Sequence, residues 1–410
     1  MASVLIAGAG PTGLSLALLL ARHGVSVTVL EARNSLGGLF RGEALMPSGL
    51  EALAAMGLWP LPETVIQRPL QGWSFWLERR PLFQVDEPMD SGAPCTLVDP
   101  CSLVKALADA LRIIPNAELR LGCGVSGPIS GREGRVLGVR LHDGQELRAD
   151  LVVACDGRGS SLRRAAGLDL GQHQRPIDVL WFQLPEPASA PLIAALAGRF
   201  HTVLAGDRSL ALYPSARGGV QLGMPLQPGE RSARSPEDWL QLWRQLCPTA
   251  LAAALQELPP EVIDGPQRLP VRVGLAQRWW QPGLLLLGDA AHPMSPVRAQ
   301  GTSMGLRDAV VAADHLAGPL ASGSASARAG AVDHALAALA WQRRSEIAWI
   351  QALQHREWKR GERLSHNRLM RQLLAEAPPW IRDQLAAFWQ RSQIPLRRGQ
   401  IGALSGVTRI

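Results

Sequence analysis

Val4-Leu5-Ile6-Ala7-Gly8-Ala9-Gly10-Pro11-Thr12-Gly13 begins the stretch, running on to Arg33, whose reading decides the fold. An apolar run of strand character enters a glycine turn. An apolar helix over residues 14–22 follows and stops at Gly24, and a second strand over residues 25–30 ends on Glu31. Gly8 permits a tight turn, Gly10 lets backbone approach a pyrophosphate, and Gly13 lets helix pack on strand. Phosphates then meet the free N–H groups and the positive dipole end of the helix, with Thr12 in its first turn. Glu31 can accept hydrogen bonds from ribose hydroxyls. A bare G-x-G-x-x-G also occurs as a structural turn, but strand, helix and acid at these offsets specify a dinucleotide site. The stretch alone does not separate NAD(P) from FAD.

The 410 residues suffice for two or three domains, and 47% apolar composition fits a globular protein. No apolar run reaches the roughly 18 residues that span a bilayer, and no basic start with a cleavage site suggests a signal peptide. Cys95, Cys101, Cys123, Cys155 and Cys247 form no C-x-x-C pair, which points to a reduced, cytoplasmic setting and no metal site. The net charge of +7 is almost wholly arginine and favours anionic ligands. No nucleic-acid reader motif accompanies it, so nucleic acid is not expected as a partner.

Along the chain, Arg33 and Arg41 flank a glycine-rich turn where a basic pair could neutralise phosphate; solvated loop arginines are the alternative. Helical spacing predicts helices over 47–56, 100–111, 236–246, 250–255 and 304–316. Strands are predicted over 118–125, 135–141 and 145–153, the last two paired through Asp143-Gly144. Further strands are expected over 177–184, 202–204, 209–213, 220–223 and 284–287. Residues 318–330 read as a small-residue loop, of which 325–331 could instead belong to the next helix, and 332–372 read as one helix. Within that helix Arg343, Arg344, Arg356, Lys359, Arg360 and Arg363 read as a solvated basic face; contact with a membrane surface is the less favoured reading.

Three distant segments put a strand end beside glycine and a carboxylate: Gly8 to Gly13 with Glu31, Asp156-Gly157, and Gly288-Asp289. Strand ends of an open parallel sheet share one edge, where ligands of doubly wound folds bind. One extended cofactor touching all three explains the pattern. Each of the latter two alone could be an ordinary turn.

Together with Cys155-Asp156-Gly157-Arg158-Gly159-Ser160-Ser161-Leu162-Arg163 and Gly288-Asp289-Ala290-Ala291-His292-Pro293, then Pro296 and Gln300-Gly301, the fingerprint resembles the FAD-dependent aromatic hydroxylases, the single-component flavoprotein monooxygenases. The resemblance implies an α/β fold: a Rossmann-like FAD-binding domain, an inserted mixed β-sheet substrate domain, and C-terminal helices. It implies FAD-binding segments at 1–70, 97–172 and 268–330, substrate segments at 71–96 and 173–267, and a helical region at 331–410. Gly8, Gly10, Thr12 and Gly13 would hold the pyrophosphate and Glu31 the ribose. Arg41 would lie near the flavin, with Arg33 beside the phosphates, and Val125 would set backbone against adenine. Asp156 would serve the shared flavin and reductant region, Gly288-Asp289 the ribityl chain, and Pro296, Gly301 and Thr302 the isoalloxazine. The chain departs from the family at Pro100, where an arginine is common, and at Ser303, where asparagine is common.

The activity so implied is an NADPH- or NADH-consuming monooxygenase that uses molecular oxygen, through a flavin hydroperoxide, to hydroxylate an aromatic or similarly electron-rich small molecule. A flavin-dependent reductase or dehydrogenase without oxygen insertion, and a non-catalytic flavin-binding partner, are the alternatives. His292 belongs to the family's cofactor motif, which favours a structural or flavin-positioning role over that of a base. His201 and Tyr213 are not placed by sequence. No catalytic acid or base is assigned.

Overall fold

The structure, a computed structural model, describes residues 2–37, 42–131, 133–172, 177–226, 230, 234–321 and 324–400. Its organising layer is a six-stranded sheet in the order Trp280–Gln281, Leu284–Leu286, Leu151–Ala154, Ser3–Ala7, Ser26–Leu30, Ala117–Arg120. Every pairing is parallel except that of Trp280–Gln281. The inner strands are nearly continuous apolar runs because helices or a second sheet cover both faces. On one face lie the helices Pro11–Arg22, Pro100–Arg112 and Gln300–Ala321. On the other lies a three-stranded antiparallel sheet, Val125–Ser130, Val136–Leu141 and Glu146–Arg148, with Ile347 and Ile350 of the helix Ala325–His366.

A seven-stranded sheet forms the second layer. Its order is Asp264–Val271, Ile177–Leu184, Val220–Pro225, Arg208–Pro214, Arg199–Ala205, Gly72–Leu77, Arg80–Asp86. Thus residues 72–86 and 177–271 meet in one sheet, joined where Arg199–Ala205 runs parallel to Gly72–Leu77. Helices Ala190–Leu196, Pro236–Leu246 and Thr249–Gln256 cover its back, where Phe182 packs edge-on against Trp239 and Trp243. Pro236–Leu246 starts from a capping box between Ser235 and Asp238 and buries Trp239, Leu240, Trp243 and Leu246 on one stripe.

Several expected elements differ. The strand predicted over 118–125 is two, Ala117–Arg120 and Val125–Ser130, in different sheets; Gly122, in the left-handed region, turns the chain against Asn34. The strand expected over 145–153 also divides, because Glu146–Arg148 pairs in the small sheet and Leu151–Ala154 in the large one. Of the expected loop over 318–330, residues 325–330 open the next helix, as the sequence also allowed. The start of the segment is helical too: Gln300–Ala321 runs through Pro319, and Ala325–His366 begins four residues later. That long helix ends at Asn367, whose side chain accepts from the Met370 N–H to start Arg368–Ala375. Pro379–Arg398, a further helix that the sequence reading did not single out, packs against the strand Arg80–Asp86 and the helix Ala325–His366. Among the described residues no helix is long and apolar enough to cross a membrane.

Candidate active site

Strand register brings the three motifs together. Ala7 is level with Ala154, and Ala154 with Leu286, so the loops after them leave the sheet side by side. At the first, Gly8 has φ of +103°, and a Cβ there would lie 2.4 Å from the Cys155 carbonyl oxygen. A Cβ on Gly13 would lie 2.1 Å from the Gly8 carbonyl oxygen, so both glycines are required by the fold itself. Gly10 differs: it borders the cavity, and an added Cβ would meet no protein atom within 4 Å. The helix beyond it has no side-chain cap, and its first internal bond is Leu14 N–H to the Gly10 carbonyl (3.0 Å). The N–H groups of Thr12 and Gly13 therefore have no acceptor within the helix.

A cavity of about 2060 Å³ opens between these loops and the front of the seven-stranded sheet, and residues of the C-terminal helices roof it. Gly10, Thr12, Gly288, Asp289, Pro296, Gly301 and Thr302 line one wall. The Thr12 hydroxyl packs where a Cβ on Gly288 or Gly305 would come within 2.9 or 2.3 Å of it, locking the first loop to the third. Arg163, buried, donates to the Ala290 carbonyl (2.7 Å) and the Arg158 carbonyl (3.1 Å), tying the second loop to the third. Arg158 in turn donates to Asp289 Oδ2 (2.8 Å) at the cavity edge.

Other expected site residues lie outside the cavity wall. Glu31 accepts from the Ala9 N–H (2.9 Å) and the Arg33 N–H (3.0 Å), which anchors the fingerprint turn to the end of the second strand. Arg33 is exposed. The Val125 carbonyl accepts from the Ser161 hydroxyl (2.8 Å). Asp156 does not line the cavity: its Oδ2 accepts from the Ser161 N–H (2.9 Å), the Ser161 hydroxyl (3.2 Å) and the Leu162 N–H (3.3 Å), because it holds the start of the helix Ser161–Ala165. Arg41 lies outside the described residues.

His292 is buried behind the wall, stacked on Trp279 (5.1 Å) and 2.5 Å from Asp308 Oδ2, which also accepts from the Gly288 N–H (2.9 Å). Burial alone would raise the Asp308 carboxyl, but His292 and Arg343 hold it down at about 2. Arg343 was expected on a solvated face; it is instead fully buried, donating to Asp308 Oδ1 (2.7 Å) and pairing with Glu346. Ser303 accepts from the Met46 N–H (3.1 Å) beside Gly49, where a Cβ would lie 2.7 Å from its hydroxyl. His201 is also unsuited to proton transfer at the cavity. Its Nδ1 accepts from Trp76 Nε1 (2.9 Å), its Nε2 donates to the Leu196 carbonyl (3.0 Å), and burial lowers its pKa to about 4.

Three features were not read from the sequence. Arg298, with φ of +58° two residues before the helix Gln300–Ala321, donates to Glu357 (3.0 Å) and lies over Trp73, Phe75 and Trp389. Glu357 also accepts from Trp389 Nε1 (3.1 Å), so one carboxylate joins the loop at Pro296 to both long C-terminal helices. Glu43 is buried at the cavity wall and accepts from Ser215 (2.8 Å), the Ala216 N–H (2.9 Å) and Gln221 (3.2 Å); its burial raises the carboxyl above its ordinary range. Tyr213 lines the cavity with its ring stacked on Phe200 (5.0 Å), and burial pushes its phenol well up, so it stays protonated.

An open glycine at an uncapped helix start, beside a long groove that also takes in Gly288 and the start of Gln300–Ala321, is the form an extended dinucleotide needs. FAD fits the residues present. Residues 1–342 match the FAD binding domain family. The chain belongs to the FAD-dependent aromatic hydroxylase family and is an FAD-dependent monooxygenase, an oxidoreductase. It is 33% identical over 321 residues to 6-methylpretetramide 4-monooxygenase of Streptomyces rimosus, a match covering 75% of this chain and 73% of that one. It is 29% identical over 350 residues to the ubiquinone hydroxylase UbiL of Rhodospirillum rubrum, covering 77% and 72%. The same fold occurs in Pseudomonas aeruginosa PqsL, solved with 2-aminobenzoylacetate, at a TM-score of 0.74 and 20% identity over 95% of this chain and 99% of that one.

Proposed function

We propose that the chain hydroxylates an electron-rich aromatic small molecule, consuming NADH or NADPH and molecular oxygen. In this reading residues 1–70, 97–172 and 268–330 form the FAD-binding domain, 71–96 and 173–267 the substrate domain, and 331–410 the helical closure. Bound FAD would supply the two-electron redox chemistry linking the nicotinamide to oxygen, with one oxygen atom entering the substrate and the other leaving as water. The protein binds, orients and excludes water. Thr12 and Gly13 N–H groups hold the pyrophosphate at Gly10, Glu31 the adenosine ribose, and Asp289, released from Arg158, the ribityl hydroxyls. Gly8 shapes the first turn, Arg33 would neutralise phosphate, Arg41 would lie near the flavin, the Val125 backbone would meet adenine, and Asp156 would serve the shared flavin and reductant region. Pro296, Gly301 and Thr302 face the flavin ring, and Tyr213 offers a protonated phenol to the substrate.

The observation that carries this reading is the convergence of the three loops on a cavity whose opposite wall is an aromatic sheet face. The FAD-loaded protein, mixed with NADH or NADPH and candidate phenols in air, is expected to consume oxygen only when substrate is present. The product should be heavier by one oxygen atom; reduction of an alkene without oxygen incorporation would sink the proposal. Asp289→Ala is expected to weaken FAD retention at least tenfold, about 1.4 kcal/mol, read by equilibrium dialysis of the flavin.

A further inference from the structure

The cavity floor is far larger than a single aromatic ring requires. Small-molecule pockets run to roughly 300–1,000 Å³. At about 2060 Å³ this cavity holds a cofactor at the upper end of that range and a second ligand of comparable size. Its lining draws on every strand of the seven-stranded sheet, from Val271 at one edge to Phe83 at the other. With neighbouring strands about 4.8 Å apart, that floor is roughly 29 Å across.

The floor is also patterned. Its central strands present Gly223, Ala211 and Thr202 to the cavity, and Thr202 and Ala211 are direct cross-strand partners. Gly223 has no side chain where the Trp181 ring lies: a Cβ there would be 3.1 Å from it. A continuous aromatic rail borders this shallow centre. Trp181 meets Tyr213 edge-on (6.2 Å), Tyr213 stacks on Phe200 (5.0 Å), Phe200 meets Trp73 (5.0 Å), and Trp73 meets Trp389 (6.0 Å). Offset and edge-on contacts of this kind suit fused rings, which offer several faces and edges at once. Among the described residues, the cations around the trough are already engaged. Arg298 pairs with Glu357, Arg268 with Asp178 and Lys359 with Glu362, while Arg360 lies over the Phe388 ring (5.1 Å). A substrate carboxylate would have to compete for any of them.

We infer that the substrate is a flat, fused, multi-ring phenol of low charge, lying along the small-residue trough of the seven-stranded sheet, and not a monocyclic aromatic acid. This assignment rests on the hydroxylase reading and deepens it. Binding to the FAD-loaded protein would be followed by perturbation of the flavin spectrum, using a tetracyclic hydroxynaphthacenequinone and 3-hydroxybenzoate as probes. The tetracycle is expected to bind at least 100-fold more tightly. Ala211→Phe should reduce its affinity at least 30-fold while flavin content is kept; if that variant loses flavin, Thr202→Phe fills the same spot from the adjacent strand. Equal or tighter binding of 3-hydroxybenzoate, or undiminished tetracycle affinity in a flavin-loaded filled-trough variant, would overturn the assignment. Tight tetracycle binding with no oxygen uptake would support the pocket while removing the hydroxylase reading. Hydroxylation of 3-hydroxybenzoate with no tetracycle bound would do the reverse.

Discussion

Replacing Asp308 with alanine is expected to destabilise the fold by about 3–5 kcal/mol, the range for leaving a buried charge without its partner. Asp308 is fully buried and joins His292, the Gly288 N–H and Arg343. Its loss leaves the buried Arg343 guanidinium with Glu346, which Arg307 shares, and the Met304 carbonyl, and frees the loop that carries Asp289. Thermal unfolding should shift down and flavin content should fall with it, whereas Asp308→Asn keeps the size and should lose less. The same group sets an acid limit. Its carboxyl is held at about 2 in the folded protein against an ordinary 3.8. A lowered folded value stabilises above the unfolded one, so this contribution, on the order of 2 kcal/mol, is present above pH 4. It is lost as pH falls toward 2. An Asp308 variant should show a correspondingly flatter loss of stability over that window; an unchanged acid-unfolding profile would refute the assignment.

A pair of alanine substitutions in the fingerprint separates folding from cofactor binding. Gly13→Ala places a methyl 2.1 Å from a backbone carbonyl oxygen, which has no flexible side chain to give way. The helix must lift from the strand, so both thermal stability and FAD retention should collapse. Gly10→Ala meets nothing in the protein and sits at an ordinary φ of −76°, so the melting temperature without flavin should barely move. Its methyl instead occupies the approach to the helix N-terminus, and FAD affinity should drop at least tenfold. Were Gly10→Ala to bind FAD normally, the pyrophosphate would not lie where the fingerprint puts it.

Much of the cofactor wall was legible because its chemistry is local. Gly8, Gly10 and Gly13 announce backbone that must turn or come close, and the rule that parallel strand ends share an edge was enough to bring Gly288-Asp289 beside them. Asp156 has a second use that the sequence does not single out: a carboxylate just after a strand also suits the start of a short helix five residues on, and here it accepts from that helix's first N–H groups. The substrate side was far less legible. On one long helix Arg343 falls in the three-to-four-residue apolar spacing of Leu336, Leu339, Ile347 and Ile350. Its charge groups it with the exposed arginines around Glu357, so the sequence does not mark that stripe as carrying a buried ion pair. The burial of Glu357 and Arg343 follows from packing against residues tens of positions away, Arg298 and Asp308. Trp389 likewise takes its role from direct contact with Trp73, Phe75 and Arg298, all far from it in sequence.

The side-by-side exit of the three loops has a consequence for the chain as it is made. Ser3–Ala7 finds its neighbour Ser26–Leu30 at once, but its other edge waits for Leu151–Ala154, and that strand waits for Leu284–Leu286. At roughly 5–20 residues per second of synthesis, the delay between the fingerprint and its last partner is about 15–60 s. Through that interval the apolar helix of the fingerprint, Pro11–Arg22, lacks the helix Gln300–Ala321 that covers it. The nascent protein therefore carries its cofactor signature long before it can hold the cofactor, with a strand edge left unpaired in the meantime.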